Sequence, residues 1–237
     1  MSKTSSWPPH YTVRKSKRAK NICLKISRRG HIEVVLPYRC LDHEAEAMVQ
    51  AKRLWLERQL KRVQAECHQD EPLLPSTIEL LAVEQTWSIH YQQQLGKTGL
   101  TVSPNEQLIV YGDINQQEKC YAVLKSWLRQ QARIILSPWL TELSVESGLT
   151  YTRLSIRSQT TRWGSCSAKK NINLNDKLLF LPSALVEHIM LHELCHTVCL
   201  NHSQKFWHLL SEVDQKSALH NCQLRKAQRY VPHWLES

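Results

Sequence analysis

This chain of 237 residues has little of what marks a membrane or secreted protein. No apolar run approaches the roughly 20 residues that a helix needs to cross a bilayer, so we expect no contact with a membrane. The first ten residues contain no apolar stretch, so no secretory signal is expected. Eight cysteines occur without a single Cys-x-x-Cys pair. We therefore expect reduced thiols in a cytoplasmic protein, and neither a disulfide framework nor a cysteine-based metal site.

Acidic residues are scarce in the first quarter of the chain. Residues 1–62 contain 15 Lys and Arg against 5 Asp and Glu, whereas the remainder contains 16 of each sign. The formal net charge of +10 therefore belongs to this segment, and its densest run comprises Arg14, Lys15, Lys17, Arg18 and Lys20. Such charge can attract nucleic acid, but no recognition motif accompanies it. We expect a solvated basic face, with non-specific contact to nucleic acid as the alternative.

The N-terminal region, residues 1–68, has the pattern of strands followed by a helix. Strands are predicted at Tyr11 to Arg18, Asn21 to Ser27 and Ile32 to Leu36, where apolar residues alternate with polar ones. One long helix is predicted from Leu41 to Cys67, because its apolar residues recur with helical spacing.

A polar segment with prolines, Gln69 to Pro75, indicates a boundary. Residues 69–113 then predict a meander, which we expect to pack with the N-terminal region. Its four strands are predicted at Ile78 to Val83, Thr86 to Gln93, Leu100 to Ser103 and Gln107 to Tyr111.

Residues 114–237 predict a second domain that begins with a long helix. Helical spacing extends from Ile114 to about Ser147, where Pro138 is expected to divide or kink the helix and Gly148 to end it. Two strands follow, at Leu154 to Arg157 and Asn171 to Asn175. The second could be a scaffold strand, or an edge to which an extended peptide adds by backbone hydrogen bonds. Overall the pattern predicts an α+β protein.

A five-residue motif, His192-Glu193-Leu194-Cys195-His196, indicates a metal site. Each residue of an α-helix turns by about 100°, so His192 and His196 lie one turn apart on the same face. Two imidazoles in this arrangement can bind one Zn²⁺. Glu193 is set back from them and can act as a base on a water molecule without being a ligand. The predicted helix begins at Ser183, after Pro182.

The identity of the third ligand depends on where the helix ends. In an unbroken helix His202 would lie roughly 240° from the ligand face, so it can bind only where the helix ends and the chain turns back. No glycine follows Gly164, so we place a left-handed turn at Asn201. Ser203 would cap the next helix, which is predicted from Gln204 to about Asp214. Glu212 is the alternative third ligand.

Four other side chains are candidates for secondary roles. His188 lies one turn before His192 and could orient a ligand or contact substrate. It is also a candidate for stabilising an oxyanion, together with Arg157, Arg162 and His208.

A series of short motifs resembles the YgjP-like zinc metallopeptidase family, which is related to the SprT-like proteases. The similarity is strong from about Leu154 to Trp207, extends to the N-terminal strands and helix, and is not apparent in the last thirty residues. The motifs are Arg162-Trp163-Gly164-Ser165-Cys166-Ser167, Ile172-Asn173-Leu174-Asn175, Pro182, His192-Glu193-Leu194-Cys195-His196, Asn201-His202-Ser203 and Phe206-Trp207.

The resemblance implies a zincin-like metallopeptidase domain, with a mixed or antiparallel sheet and an active-site helix, preceded by the β-rich N-terminal region with its one long helix. It implies that His192, His196 and His202 bind Zn²⁺ and that Glu193 is the catalytic residue. The expected activity is hydrolysis of amide bonds in a peptide or protein substrate. The alternatives are a DNA-associated protease of SprT-like character and a non-catalytic binding protein with a structural zinc.

Overall fold

A computed structural model of the chain describes residues 7–26, 30–66 and 74–236, without the side chains of 62–66 and 236. Ser27, Cys67 and most of the connection predicted from Gln69 to Pro75 lie outside the described residues. The chain divides into two compact units, Met1–Glu71 and Pro72–Ser237. Strands and helices both contribute to each unit, which confirms the α+β class.

The first unit contains a three-stranded sheet, formed by β1 (Tyr11–Ser16), β2 (Cys23–Ile26) and β3 (Ile32–Pro37). β3 is central, parallel to β1 and antiparallel to β2. All three strands agree with the prediction apart from their ends. Val34 and Leu36 on β3 are fully buried, as expected for the β-branched and apolar residues of a central strand.

The prediction of one long helix in this unit is wrong. The structure has two helices, α1 (His43–Ala51) and α2 (Arg53–Glu66), separated at Lys52, whose φ of −102° and ψ of 17° are not helical. Backbone hydrogen bonds nevertheless join Lys52 N–H to the Met48 carbonyl (3.0 Å) and Leu56 N–H to the Lys52 carbonyl (2.9 Å). The helical spacing therefore continues across the break, and the sequence gives no sign of it.

Part of the basic charge of this unit is neutralised by ion pairs at its surface. The Arg14 guanidinium lies 2.7 Å from the Glu33 carboxylate, and the Lys15 ammonium lies 3.0 Å from that of Asp42. Pairs of this exposure contribute little to stability. Contact of the basic run with nucleic acid stays a prediction.

The second unit begins with four strands, β4 (Thr77–Leu80), β5 (Gln85–Gln93), β6 (Gly99–Ser103) and β7 (Gln107–Gly112). The strands occur where they were predicted, but they do not form a simple meander. Their order is β4-β5-β7-β6, because β7 pairs in parallel with β5 and places β6 at the edge.

A long helix, α3 (Gln117–Ser147), packs against this sheet. Ile78 and Val110 of the sheet share one core with Leu124 and Leu128 of the helix, so β4 to β7 belong to the second unit, whereas we expected residues 69–113 to pack with the N-terminal region. The helix continues through Pro138 and is not divided there. It ends as predicted at Gly148, which has a left-handed conformation with φ of 69°.

A second, three-stranded sheet supports the candidate site. It contains β8 (Arg153–Arg157), β9 (Gly164–Cys166) and β10 (Asn171–Asn175), with β10 in the centre, parallel to β8 and antiparallel to β9. The expectation that β10 could be an open edge is therefore wrong. β8 and β9 are the two edge strands. β9 was not predicted because three residues are too few to show alternation.

The rest of the second unit is helical. A short 3₁₀-helix (Asp176–Phe180) leads into α4 (Ser183–Cys195), followed by α5 (Gln204–Val213) and α6 (Ser217–Leu224). Two further 3₁₀-helices complete the described chain, Ala227–Tyr230 and His233–Glu236. In the part of the chain that the structure describes, none of the helices is both long enough and apolar enough to span a membrane.

Candidate metal centre and active site

The helix α4 is a core helix that presents polar side chains at its C-terminal end. It starts at Ser183 as predicted, with the Pro182 carbonyl accepting the first helical hydrogen bonds. Most of its residues are buried, and the apolar ones, such as Leu185 and Leu194, fix it in the core of the second unit. The motif residues are consequently held on a rigid element.

The chain turns back immediately after α4, over residues 196–203. Thr197 N–H and the Thr197 hydroxyl both donate to the Leu194 carbonyl, at 2.9 and 2.7 Å, and Cys199 N–H donates to the Cys195 carbonyl at 2.9 Å. Asn201 is not among the described residues with positive φ, so the left-handed turn expected there is wrong. Successive tight turns with ordinary φ values reverse the chain without a glycine.

This reversal brings three imidazoles together. The Nε2 atom of His192 lies 3.1 Å from Nε2 of His196 and 3.1 Å from Nε2 of His202. One ring nitrogen from each of the three lies within 4.8 Å of the other two. A tetrahedral zinc with nitrogen ligands at about 2.0–2.1 Å separates those nitrogens by roughly 3.3 Å. The spacing of the three imidazoles therefore fits one such cation.

The protonation of these rings also suits a cation. Nδ1 of His196 lies 2.9 Å from the Cys199 carbonyl oxygen, to which only a protonated Nδ1 can donate, so the Nε2 atom presents its lone pair. Burial lowers the pKa of His192 to about 3, with the other imidazoles adding to the effect, and burial also lowers that of His196. Neutral imidazoles are the form that binds a metal.

An aromatic residue, Phe206, lies beneath the three imidazoles. Its ring is fully buried on α5, stacked on His196 with centroids 4.5 Å apart, and its centroid lies 4.9 Å from that of His192 and 4.8 Å from that of His202. Trp207 lies beside His202, with ring centroids 5.6 Å apart. Phe206 belongs to one of the motifs on which the family resemblance rests, but the sequence gave no indication that its ring packs against the three imidazoles.

Glu193 is buried, with 6% of its surface exposed, and its Oε2 atom has no hydrogen-bond partner among the described residues. Burial raises the pKa of this carboxyl to about 8, although the charge of Arg162 opposes the rise. The edge strand β9 lies against it, since a Cβ atom added to Gly164 would come within 2.6 Å of Glu193 Oε1. A buried carboxyl oxygen without a partner is costly, and such groups are typical of functional sites.

A second polar cluster, His188, Asp214 and His220, joins three helices behind the imidazoles. Oδ2 of Asp214 lies 2.5 Å from Nδ1 of His188 and 2.9 Å from Nδ1 of His220. Burial alone would raise the pKa of Asp214, but hydrogen bonds from the two imidazoles outweigh it and lower the pKa. The centroid of His188 lies 6.3 Å from that of His192. His188 was a predicted candidate, whereas Asp214 and His220 were missed because no local pattern connects them.

The remaining candidates lie apart from the three imidazoles. Glu212 and His208 are both exposed on α5, with 3.4 Å between the carboxylate and the imidazole, and neither belongs to a group of described residues that could bind a metal. Arg157 is exposed at the end of β8. Cys195 and Cys199 are free, and burial raises the pKa of Cys195 to about 12, so its sulfur is protonated and unsuited to a metal.

Three convergent imidazoles beside a buried carboxylate are typical of metal-dependent hydrolases. The family model for the YgjP-like metallopeptidase domain matches residues 20–227, and the chain therefore belongs to the YgjP-like metallopeptidase family. Its class is that of the metal-dependent peptidases. The match continues past Trp207 to Ala227, a segment in which no resemblance was expected.

Two solved structures were also compared with the chain. The metallopeptidase zymogen of Pyrococcus abyssi abylysin is 22% identical, with a TM-score of 0.36, over 41% of this chain and 100% of that one. The metallopeptidase zymogen of Methanocaldococcus jannaschii jannalysin is 24% identical, with a TM-score of 0.34, over 39% of this chain and 93% of that one. None of the curated proteins matches the chain.

Proposed function

We propose that this protein is a zinc-dependent peptidase with a zincin-like catalytic domain. In this proposal His192, His196 and His202 bind the zinc, and Glu193 transfers the proton. The observation that supports it most is the convergence of three imidazole nitrogens, two pairs of them 3.1 Å apart, next to the buried Glu193, whose Oε2 atom has no hydrogen-bond partner among the described residues. A cytoplasmic location, expected from the cysteines, is part of the proposal.

Zinc bound to three neutral imidazoles supplies a Lewis acid, which polarises a scissile carbonyl and increases the acidity of water. Glu193 then accepts the proton of the attacking water and returns it to the nitrogen of the leaving amine. Burial raises the pKa of its carboxyl, which makes the carboxylate a stronger base than an exposed one. Phe206 holds the three imidazoles in place, and the Cys199 carbonyl orients His196.

The substrate is proposed to be a peptide or protein in extended conformation. β9 is an edge strand, and its first residue, Gly164, lies against Glu193. A peptide that added to this edge by backbone hydrogen bonds would pass beside the carboxylate. The edge is short, which limits it to local pairing with a substrate rather than with another sheet.

Replacement of one carboxylate oxygen tests the proposal. Glu193→Gln retains the shape of the side chain, so we expect unchanged zinc content and a fall in kcat of about 10²–10⁴-fold on a validated peptide substrate. Glu187→Gln is the control, because Glu187 is exposed on the same helix. Equal turnover by Glu193→Gln and wild type would remove Glu193 from the mechanism.

A further inference from the structure

A polar cavity of about 130 Å³ lies at the end of β10, beside the segment that leads into the edge strand β9. It is lined by residues 159–163, Asn175, Lys177 and Gln228. This volume is large enough to hold several water molecules. A carboxylate on a short side chain or at a chain end is of this size.

Lys177 is the unusual residue of the cavity. Only 8% of its surface is exposed, and its side chain lines the cavity. The neighbouring Asp176 attracts it electrostatically, but the Asp176 carboxylate bonds with Ser158 and lies 3.8 Å from Arg129 instead. Lysine is rarely buried unless it is paired. A lysine that is this deeply buried and lines a cavity therefore points to an anionic ligand.

Two further side chains of the cavity suit an anion. Arg162 adds a second positive charge, and its guanidinium is exposed. Gln159 has a buried Oε1 atom without a partner, and rotation of this amide by 180° would present an N–H donor at the same position.

The wall of the cavity is fixed in place by Asn175. Its Nδ2 atom donates to the carbonyl oxygens of Gln159 (2.8 Å) and Arg162 (2.7 Å). Its backbone N–H donates to the carbonyl oxygen of Trp163 (2.9 Å). The cavity is thus a built feature of the fold.

The cavity adjoins the candidate active site. Arg162 is near enough to lower the pKa of Glu193 against the effect of burial, and two residues further Gly164 lies against the Glu193 carboxylate. A peptide paired with β9 would therefore approach the cavity at the N-terminal end of that strand.

We propose that this cavity binds a carboxylate of the peptide substrate, so that Lys177 and Arg162 determine specificity for peptides with an acidic group at a fixed distance from the scissile bond. This inference rests on the proposed peptidase function. The carboxylate can come from an aspartate or glutamate side chain or from the C-terminus of the substrate, since both offer the same two acceptor oxygens.

Peptide digests separate these sources and test the inference. A library with free C-termini and the same library with amidated C-termini are digested by zinc-loaded wild type and by Lys177→Met, with Lys169→Met as the control at an exposed lysine. We expect wild type and Lys169→Met to favour peptides with the carboxylate by about tenfold or more in kcat/KM. Lys177→Met should lose that preference and cleave neutral peptides as wild type does.

If the pocket binds the C-terminus of the substrate, amidation of the peptides should abolish the preference of wild type. If the pocket binds an acidic side chain, amidation should leave that preference unchanged. A preference that persists in Lys177→Met, or its absence in wild type, overturns the inference. Lys177→Arg keeps the positive charge and should keep the preference for the carboxylate. This variant tests the role of the charge even if the fold does not tolerate methionine at this position.

A binding measurement distinguishes failure of this inference from failure of the proposed function. If wild type cleaves no peptide, the peptidase proposal fails. Calorimetry with an acidic peptide and its amide analogue, on Glu193→Gln with and without Lys177→Met, then tests the pocket alone. Binding of the acidic peptide that weakens about tenfold on loss of Lys177 supports the pocket, and equal or undetectable binding overturns it.

Discussion

Gly164 on the edge strand and Glu193 on the site helix are packed so closely that no side chain fits between them. A Cβ atom at Gly164 would lie 2.6 Å from Oε1, 2.7 Å from Cγ and 2.9 Å from Cδ of Glu193. These distances are shorter than any ordinary contact between non-bonded atoms. The glycine therefore determines where the carboxylate of Glu193 can lie.

Gly164→Ala should displace Glu193 without removing a ligand. We expect kcat/KM on a peptide substrate to fall by about tenfold or more, because a misplacement of about 1 Å at a catalytic group can cost 10²-fold. Zinc content should not change. Ser165→Ala is the control, since it alters the same strand without adding an atom. Full activity in Gly164→Ala would show that the position of Glu193 is not limited by this contact.

The third ligand can be assigned by comparing two variants. His202→Ala should lower zinc affinity by more than the roughly 10–100-fold that follows loss of a residue that only orients a ligand. Glu212→Gln should leave it unchanged, because Glu212 is exposed and lies beside His208. The measurement is zinc retained per chain during dialysis against a competing chelator. Retention by His202→Ala, with loss in Glu212→Gln, would transfer the role to Glu212.

Asp214 should contribute to stability through the hydrogen bonds that its carboxylate accepts from His188 and His220. Asp214→Asn leaves His188, which is fully buried, with a weakened or reversed hydrogen bond. We expect the free energy of unfolding to fall by about 1–3 kcal/mol. Denaturant unfolding of the zinc-loaded protein measures it, with Glu212→Gln as the control at an exposed carboxylate two residues away. No difference between the two variants would mean that the cluster is not a stabilising network.

The sequence predicts the relative positions of residues that lie on one helix better than those of residues separated by turns. His192 and His196 lie on one helix, so their spacing alone places them on one face. The position of His202 depends on turns over residues 196–203 that contain no glycine, and the turn was wrongly assigned to Asn201.

Features that depend on tertiary contacts were not predicted. Asp214 and His220 belong to a cluster assembled from separate helices. The central position of β10 depends on β9, a strand of three residues with no alternation to detect. The interruption at Lys52 preserves helical spacing, so periodicity cannot reveal it.

Without metal, Glu193 should make stability depend on pH. Burial raises the pKa of its carboxyl to about 8, whereas the unfolded chain has the ordinary value near 4.5. The folded state therefore binds the proton more tightly, and stability is lost as pH rises through this window. As pH rises from 5 to about 8, the free energy of unfolding of metal-free Glu193→Gln should increase relative to that of metal-free wild type by on the order of 2–5 kcal/mol. Denaturant unfolding at each pH measures the difference, and a constant difference contradicts the burial of a charged form.

In the proposed centre three imidazoles bind one zinc and leave one position open. Zinc K-edge X-ray absorption of the zinc-loaded protein measures this coordination. We expect three imidazole nitrogens at about 2.0–2.1 Å and one further oxygen from water. Sulfur ligands, fewer than three imidazoles, or four protein ligands with no exchangeable oxygen would contradict it, and the last of these would indicate a structural zinc in a binding protein.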